Sequence, residues 1–224
     1  MPDGVVNKPS GFLPGGNALA EGRRGFALAA PDAELEPEFR RLLYGIEALR
    51  TEARCVVLQF LGVVGGEGVS AVASGFAIAA AREAQSPVLY VRCAPHLPAA
   101  RTDGAACLRG RVVQTPAPNL RWMDLSLDAV SFAGPDAAGL REEIAATRAH
   151  YSAMVLDATG GASPANLGLS RFCDGSVLVV AAGRTRIAAV REARRAVERA
   201  GGQVVGVVLT RVRPAMPRFL ARFL

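Results

Sequence analysis

Lysine is nearly absent from this chain, because 25 of its 26 basic side chains are arginine and the one lysine, Lys8, stands near the amino terminus. Mechanisms that need a lysine in the folded body are therefore excluded, whether as a Schiff-base amine or as the phosphate-binding lysine of a P-loop. Histidine is also rare, with His96 and His150 only, and the four cysteines form no C-x-x-C pair. No zinc-site spacing can be built, and we expect reduced, mostly buried thiols in a cytoplasmic protein.

Long apolar runs and a secretion signal are missing as well. The longest runs, residues 55–64 and 176–182, are well short of the roughly 20 residues that a membrane-spanning helix needs. The amino terminus lacks a basic segment followed by an apolar one, so no signal peptide is expected. With 224 residues, half of them hydrophobic, the chain is long enough for one globular core. These features predict a soluble intracellular protein.

The formal net charge of +6 is concentrated at one end of the chain. Residues 184–224 hold ten arginines and two glutamates, a balance of +8, so the rest of the chain sums to −2. Such a segment suits an acidic partner, an anionic membrane surface or nucleic acid, and a solvated helix face in an arginine-rich proteome is the alternative. Few aromatic residues stand near these arginines, so a nucleic-acid partner is the weakest option.

Apolar periodicity predicts strands that alternate with helices. Strands are expected at 55–61, 88–91, 120–125, 153–156, 176–182 and 203–209, and helices at 37–51, 70–83, 136–150, 164–172 and 187–200. In the last helix, Ile187, Val190, Ala193 and Val197 are expected to face the core. The strands are continuous apolar runs, which is typical of a doubly wound, mostly parallel α/β sheet with helices on both faces in a single domain.

Three regions follow from composition. Residues 1–31 are rich in glycine and proline and are interpreted as a flexible leader, residues 32–213 as the α/β domain, and residues 214–224 as a basic amphipathic tail. Such a tail can dock in a groove of a partner or on an anionic membrane surface. A return of the tail onto its own sheet is the alternative. The expected location is the cytoplasm, and binding of the tail to lipid would place the protein at the surface of the inner membrane.

A glycine-rich turn lies between the first predicted strand and the next helix, with the sequence Gly65-Gly66-Glu67-Gly68-Val69-Ser70. This is the setting in which backbone N–H groups bind phosphate at the start of a helix. Two interpretations of Ser70 stay open, a helix N-cap and a metal ligand. Glu67 is predicted to be a solvated loop residue.

This turn resembles the Walker A loop of the bacterial tyrosine autokinases of capsule and exopolysaccharide synthesis, relatives of the MinD/ParA P-loop ATPases. The loop of that family ends Gly-Glu-Gly-Lys-Ser, so Val69 stands at the lysine, and Val64 stands at the second lysine of the MinD/ParA relatives. The strand that ends at Arg92 is similar to the family's next strand, whose terminal aspartate binds magnesium. Here Arg92 replaces that aspartate.

Further motifs follow in the family's order over residues 36–213. Residues 154–159 resemble the Walker B strand with its aspartate kept as Asp157, and residues 173–185 resemble the following strand and its Gly-Arg-Thr exit. Thr210 stands where the family usually has an asparagine near the adenine. The resemblance thus implies a vestigial nucleotide site formed by Gly65, Gly66, Gly68, Val69, Ser70, Arg92, Asp157 and Thr210.

The family's oligomerisation helix, spaced Glu-x-x-Arg-x-x-Arg, is partly matched by Glu38 and Arg41, and its third position is Tyr44. This match implies self-association through the first helix. This sequence holds three tyrosines, Tyr44, Tyr90 and Tyr151, so we expect no counterpart of the tyrosine-rich tail that these kinases phosphorylate.

Phosphoryl transfer in such a site depends on the lysine and the metal, and the loss of one such contact commonly costs about 10²–10³ in rate. We therefore expect no catalysis and no bound cofactor or metal. For Arg92 we consider three positions. An ion pair with Asp157 would fill the metal position, a contact with the glycine loop would make an anion clamp in place of the lysine, and the third position is solvent.

The resemblance implies a regulatory or scaffold subunit of exopolysaccharide synthesis or export, whose partners are itself and a membrane polysaccharide co-polymerase. One alternative is a nucleotide-binding switch or weak tyrosine autokinase that uses Arg92 in place of the P-loop lysine, with ATP and magnesium as its cofactors. Another is a MinD/ParA-like partitioning protein associated with membrane or DNA.

Overall fold

The computed structural model describes residues 36–47, 55–95, 112–129, 132 and 134–212. The predicted leader 1–31 and tail 214–224 lie outside the described residues, as do His96 and the predicted end of the first helix at Thr51.

The described residues form five α-helices and seven β-strands, which alternate except for three consecutive strands in the middle of the chain. In chain order these are α1 (Glu36–Glu47), β1 (Val56–Gly62), α2 (Val69–Glu83), β2 (Val88–Ala94), β3 (Val113–Gln114), β4 (Leu120–Ser126), α3 (Gly134–Arg148), β5 (Ala153–Ala158), α4 (Pro164–Ser170), β6 (Gly175–Ala181), α5 (Ile187–Arg199) and β7 (Val204–Thr210). Every predicted helix and strand is present, within a few residues of its expected bounds. The two-residue β3 lies between residues 91 and 120, where the periodicity predicts no helix or strand.

All seven strands form one sheet in the order β3-β4-β2-β5-β1-β6-β7. Every pairing is parallel except that of β3 with β4. The predicted single-domain, doubly wound and mostly parallel sheet is therefore confirmed. Strands β1 and β6 are buried along their whole length, which explains their unbroken apolar sequences.

Helices cover both faces of the sheet. On one face, residues of α1 and α2 such as Ile46 and Phe76 pack on the strands. On the other face, α3 and α4 contribute Leu140 and Leu169 to a second cluster, and α5 contributes Val197 to a third. No helix in the described part of the chain is long and apolar enough to cross a membrane.

Helix α1 is held on α2 by a contact between an aromatic ring and a glycine. A Cβ atom placed on Gly75 would lie 2.4 Å from the nearest ring atom of Phe39, so only glycine permits this approach. Pro37 occupies the first turn of α1, where its missing N–H leaves no intrahelical hydrogen bond unmade. The first helix is thus fixed over the helix that follows the glycine-rich turn.

Candidate functional site at the glycine-rich loop

The glycine-rich loop joins β1 to α2 at the carboxyl edge of the sheet. Gly65, Gly66 and Gly68 have φ angles of 107°, 76° and 88°, in the left-handed region that favours glycine. Gly68 is the N-cap of α2, which begins at Val69 without a side-chain cap. Ser70 is therefore inside the first turn of the helix, and its interpretation as the N-cap is wrong.

Glu67 points into the loop, not into solvent. Its side chain is buried, with 1% of the residue exposed, and its Oε1 accepts a hydrogen bond of 2.7 Å from the backbone N–H of Val64. Oε2 accepts one of 2.8 Å from the N–H of Gly65. The prediction of a solvated Glu67 was wrong because the amides of this turn need acceptors, and the carboxylate of the same loop supplies them.

Gly62 provides the space for this arrangement. A Cβ atom there would lie 2.9 Å from Oε2 of Glu67 and 3.0 Å from a methyl carbon of Val69. Val69 is itself buried, so the position at which the resemblance puts the family's lysine holds an apolar side chain packed under the loop. In the loop as it stands, the carboxylate of Glu67 contacts the amides, and none of the residues that the structure describes brings a lysine to it.

Two other segments hold the loop from outside. The Thr210 hydroxyl at the end of β7 donates a hydrogen bond of 2.6 Å to the backbone carbonyl of Glu67. Arg211 donates one of 2.8 Å from Nη2 to the carbonyl of Gly66. Gly161, in the turn after β5, lies against the backbone of the loop, since a Cβ there would be 3.4 Å from the carbonyl carbon of Val64.

Asp157 lies near this loop, fully buried near the end of β5. The hydroxyl of Tyr90 donates a hydrogen bond of 2.6 Å to Oδ2, and Oδ1 is buried without a hydrogen-bond partner among the described residues. Burial raises the pKa of Asp157, while Tyr90, Ser70 and the positive charge of Arg92 oppose that rise. The same burial, together with the charge of Asp157, raises the pKa of Tyr90.

Arg92 forms its ion pair with Asp124 on β4. Nε and Nη2 donate to the two carboxylate oxygens at 2.6 and 2.8 Å, and the guanidinium lies 5.4 Å from the ring centroid of Trp122. The predicted ion pair with Asp157 is therefore wrong. Asp124 and Asp157 both stand beside Arg92 in the strand register, but Asp157 is buried with Tyr90 and Asp124 is partly open to solvent.

This pairing turns the guanidinium toward β4, which lies on the side of β2 remote from β1 and the glycine loop. The geometry speaks against the anion clamp that we considered for Arg92. Asp124 could be identified as the partner of Arg92 only from the order of the strands, which the sequence pattern alone does not give.

The structure brings most of the predicted site residues together at one edge of the sheet. These are Gly65, Gly66, Gly68, Val69, Ser70, Asp157 and Thr210. Sequence reasoning missed Tyr90, Asp124 and Arg211. Tyr90 precedes Arg92 by two positions and so shares its face of the strand, a signal that could have suggested a partner for Asp157.

The two residues predicted to serve oligomerisation lie away from this edge. Glu38 and Arg41 are exposed on α1, where they form an ion pair with each other at 2.9 Å. Among the residues that the structure describes, no group of three or more histidine, cysteine, aspartate or glutamate side chains could hold a metal ion.

Solved structures with this fold include bacterial tyrosine kinase domains and MinD/ParA-type ATPases. The chimerical protein CapA2B2 superposes with a TM-score of 0.64 at 18% identity, covering 82% of this chain and 88% of that one. The kinase domain of the Escherichia coli tyrosine kinase Etk gives 0.61 at 15% identity, over 88% of this chain and 86% of that one. The septum site-determining protein MinD from Pyrococcus horikoshii, complexed with Mg-ADP, gives 0.52 at 15% identity over 75% and 76%.

No family model and no curated protein matches this sequence. At these identities the structural likeness concerns the fold. The chain therefore has the sheet and helix arrangement of the MinD/ParA-type P-loop ATPases, with its own set of side chains in the loop.

Proposed function

We propose that this protein is a regulatory or scaffold subunit of bacterial exopolysaccharide synthesis or export that acts without phosphoryl transfer. Its polysaccharide role is supported by the ordered motif resemblance to the capsule and exopolysaccharide autokinases, and by the structural likeness to tyrosine kinase domains such as that of Etk. The absence of phosphoryl transfer depends on one observation, the buried apolar side chain of Val69 at the position of the family's phosphate-binding lysine.

The residues of the loop do not fit a nucleoside triphosphate with magnesium. A phosphate placed against the Val64 and Gly65 amides would displace the Glu67 carboxylate or lie beside it, and two like charges at such range repel. Val69 supplies no positive charge to offset the phosphates. Burial also raises the pKa of Asp157, so the charged form that a metal ligand needs is the costlier one at this position.

A second candidate function, the nucleotide-dependent switch, rests on a separate observation. Ser70 lies close enough to Asp157 to lower the pKa of its carboxyl group, and Oδ1 of Asp157 has no hydrogen-bond partner among the described residues. P-loop ATPases hold magnesium with this pair of residue types. The two functions differ in whether ATP and magnesium bind at all.

Calorimetric titration of the full chain with ATP and magnesium tests this difference. We expect no saturable heat up to millimolar ATP, and no phosphate release above the buffer background. The Glu67→Ala variant tests the role of the carboxylate, with Glu192→Gln on the exposed face of α5 as its control. Binding by the wild type that is lost in Asp157→Asn would support the switch and overturn the proposal.

A scaffold role also predicts self-association that does not depend on the presence of nucleotide. Glu38 and Arg41 are exposed on α1 and are the residues to change, as Glu38→Arg and Arg41→Glu. We expect each to lower the molar mass measured by light scattering of the full chain, and expect the mass to be the same with and without ATP. Glu142→Arg, on the exposed side of α3, is the control. A monomeric wild type, or a mass that changes with ATP, would contradict this part of the proposal.

A further inference from the structure

The last strand, β7, ends the sheet and leaves apolar side chains in solvent. Within the described residues it has a neighbour on one side only, β6. Val207 and Leu209 are 52% and 59% exposed, and Val212, just after the strand, is exposed as well.

The strand register shows why these side chains are uncovered. Val207 is paired with Leu178 and Leu209 with Val180, so the four side chains lie on the same face of the sheet. The two β6 residues are buried in the cluster that includes Val197 of α5, whereas their β7 neighbours are exposed. Helix α5 therefore covers β6 and leaves the outer strand open.

The first residue of α5 adds to this apolar surface. Ile187 was predicted to face the core, but it is 72% exposed. It begins α5 at the carboxyl edge of the sheet, the same edge at which Leu209 nears the end of β7. That prediction was wrong because the helix packs through Ala193 and Val197, farther along its length.

An edge strand of this kind is open to pairing. Natural sheets usually protect their edges with charged residues, proline or a bulge. The sequence of β7, Val-Val-Gly-Val-Val-Leu-Thr, holds no charge and no proline, and its one irregularity lies at the start of the strand, opposite Ser176 and Val177. Outward N–H and C=O groups beside exposed alternate side chains can accept a further strand, which supplies main-chain hydrogen bonds.

The charge around this edge selects the partner. From residue 184 to residue 212 the chain has seven arginines and two glutamates, a balance of +5. The seven are Arg184, Arg186, Arg191, Arg194, Arg195, Arg199 and Arg211, and all are exposed. A second copy of this face would oppose arginine with arginine, and like charges across an interface are unfavourable. A lipid surface would leave the strand's outward N–H and C=O groups without partners.

We propose that the β7 edge and the arginines of α5 form a docking surface for an acidic protein segment that adds to β7 as an extended strand. Its apolar side chains pack on Val207 and Leu209, and its carboxylates face the arginines. The surface does not involve the Glu67 contact, so its test is independent of the proposed function.

The experiment uses a fluorescein-labelled synthetic peptide in which valine and glutamate alternate, titrated with the full chain and followed by fluorescence anisotropy. We expect saturable binding that weakens at least tenfold in Leu209→Glu, and also in the double variant Arg191→Glu/Arg194→Glu. The matched control is Val113→Glu, which changes an exposed apolar residue on the opposite edge strand, β3, and leaves binding unchanged. A peptide in which valine and lysine alternate should not bind.

Hydrogen exchange of the same complex tests strand addition. We expect slower amide exchange within Val204–Thr210 when the acidic peptide is bound, and unchanged exchange at the opposite edge, in Val113–Gln114. Protection confined to α5, with none in β7, would overturn strand addition.

Several other results would overturn the proposal. The proposed docking of an acidic segment is wrong if the acidic peptide shows no saturable binding, or if the lysine peptide binds equally well. Binding of phosphatidylglycerol vesicles that is lost in Leu209→Glu, in place of peptide binding, would assign the surface to a membrane. Self-association lost in the same variant would assign it to a second copy, and tighter peptide binding in Phe219→Asp/Phe223→Asp would assign it to the chain's own tail.

Discussion

The hydroxyl group of Tyr90 donates a hydrogen bond of 2.6 Å to Oδ2 of Asp157, and both side chains are buried at the carboxyl edge of the sheet. The contact joins neighbouring strands β2 and β5 and satisfies one oxygen of a carboxyl group that has no direct access to water. The resemblance implies a metal ligand at this position, whereas in this structure the phenol of Tyr90 contacts one of the two oxygens.

Removing the phenol in Tyr90→Phe should destabilise the fold. The buried carboxyl group would then lose the hydrogen bond from the phenol, and hydrogen bonds to charged groups contribute about 1.5–3 kcal/mol. We expect a loss of that size in the free energy of unfolding, measured by urea denaturation. Tyr151→Phe is the control, since Tyr151 is also buried but contacts no carboxylate of the residues that the structure describes. Equal losses in both variants would contradict the prediction.

The stability of the protein should depend on the ionisation of Asp157. Burial raises its pKa in the folded state, so the folded state holds the proton more tightly than the unfolded state does. Burying the ionised carboxylate costs folding free energy. This cost is absent below the ordinary pKa of about 3.9, where the group is protonated in both states, grows as the pH rises from there, and is complete above the raised pKa. We expect Asp157→Asn to gain stability relative to the wild type as the pH rises from about 4 to about 8. Parallel stability curves over this range, from urea denaturation, would rule the effect out.

The Arg92–Asp124 pair can be followed through the single tryptophan of the chain. Because the guanidinium packs against Trp122, Arg92→Ala should change the fluorescence of the folded protein. We also expect the free energy of unfolding to fall by about 1.5–3 kcal/mol, since Asp124 loses a two-point contact. Arg92→Lys keeps the positive charge but lacks the planar guanidinium group that contacts both oxygens of Asp124. It should therefore recover only part of the lost free energy of unfolding. Full recovery would show that charge alone matters at this position.

Glu67 should stabilise the loop through its carboxylate. In Glu67→Gln the amide NH₂ group would face a backbone N–H of Val64 or Gly65, so one of the two hydrogen bonds cannot form. We expect a loss of about 1–3 kcal/mol in the free energy of unfolding, against a change within about 0.5 kcal/mol for the exposed Glu192→Gln. Similar values for the two variants would mean that the carboxylate does not hold the loop.

The contact of Phe39 with Gly75 should show strong coupling. In Gly75→Ala the added methyl group meets the ring of Phe39, so we expect a loss of about 1–3 kcal/mol in the free energy of unfolding. In the Phe39→Ala background the ring is gone, and the same substitution should be tolerated because alanine favours a helix. A double-mutant cycle from urea denaturation measures the coupling. Additive effects would mean that the ring does not rest on Gly75.

Much of the fold could be predicted from the sequence, for a physical reason. Strands buried on both faces must be apolar throughout, and helices that cover a sheet must show an apolar stripe. The residue pattern therefore predicts the succession of β1, α2 and the later elements. The parallel arrangement then puts the ends of the strands at one edge. The proximity of Ser70 and Asp157 follows from that arrangement.

Other features were decided only by the tertiary structure. Arg92 lies between Asp124 and Asp157 in the register, and its choice of partner depends on strand order and on which carboxylate stays open to solvent. Ile187 is exposed because α5 packs through later residues and leaves β7 uncovered.

The scarcity of lysine is fixed by the sequence alone, and with it the absence of a lysine from the glycine-rich loop. The sequence pattern does not predict which group contacts the amides of this loop. A glutamate in a glycine-rich turn is ordinarily solvated, but a turn with several left-handed residues directs its N–H groups inward. Only the folded backbone shows that these groups converge on Glu67, because hydrogen-bond demand depends on where the amides point and not on which residues carry them.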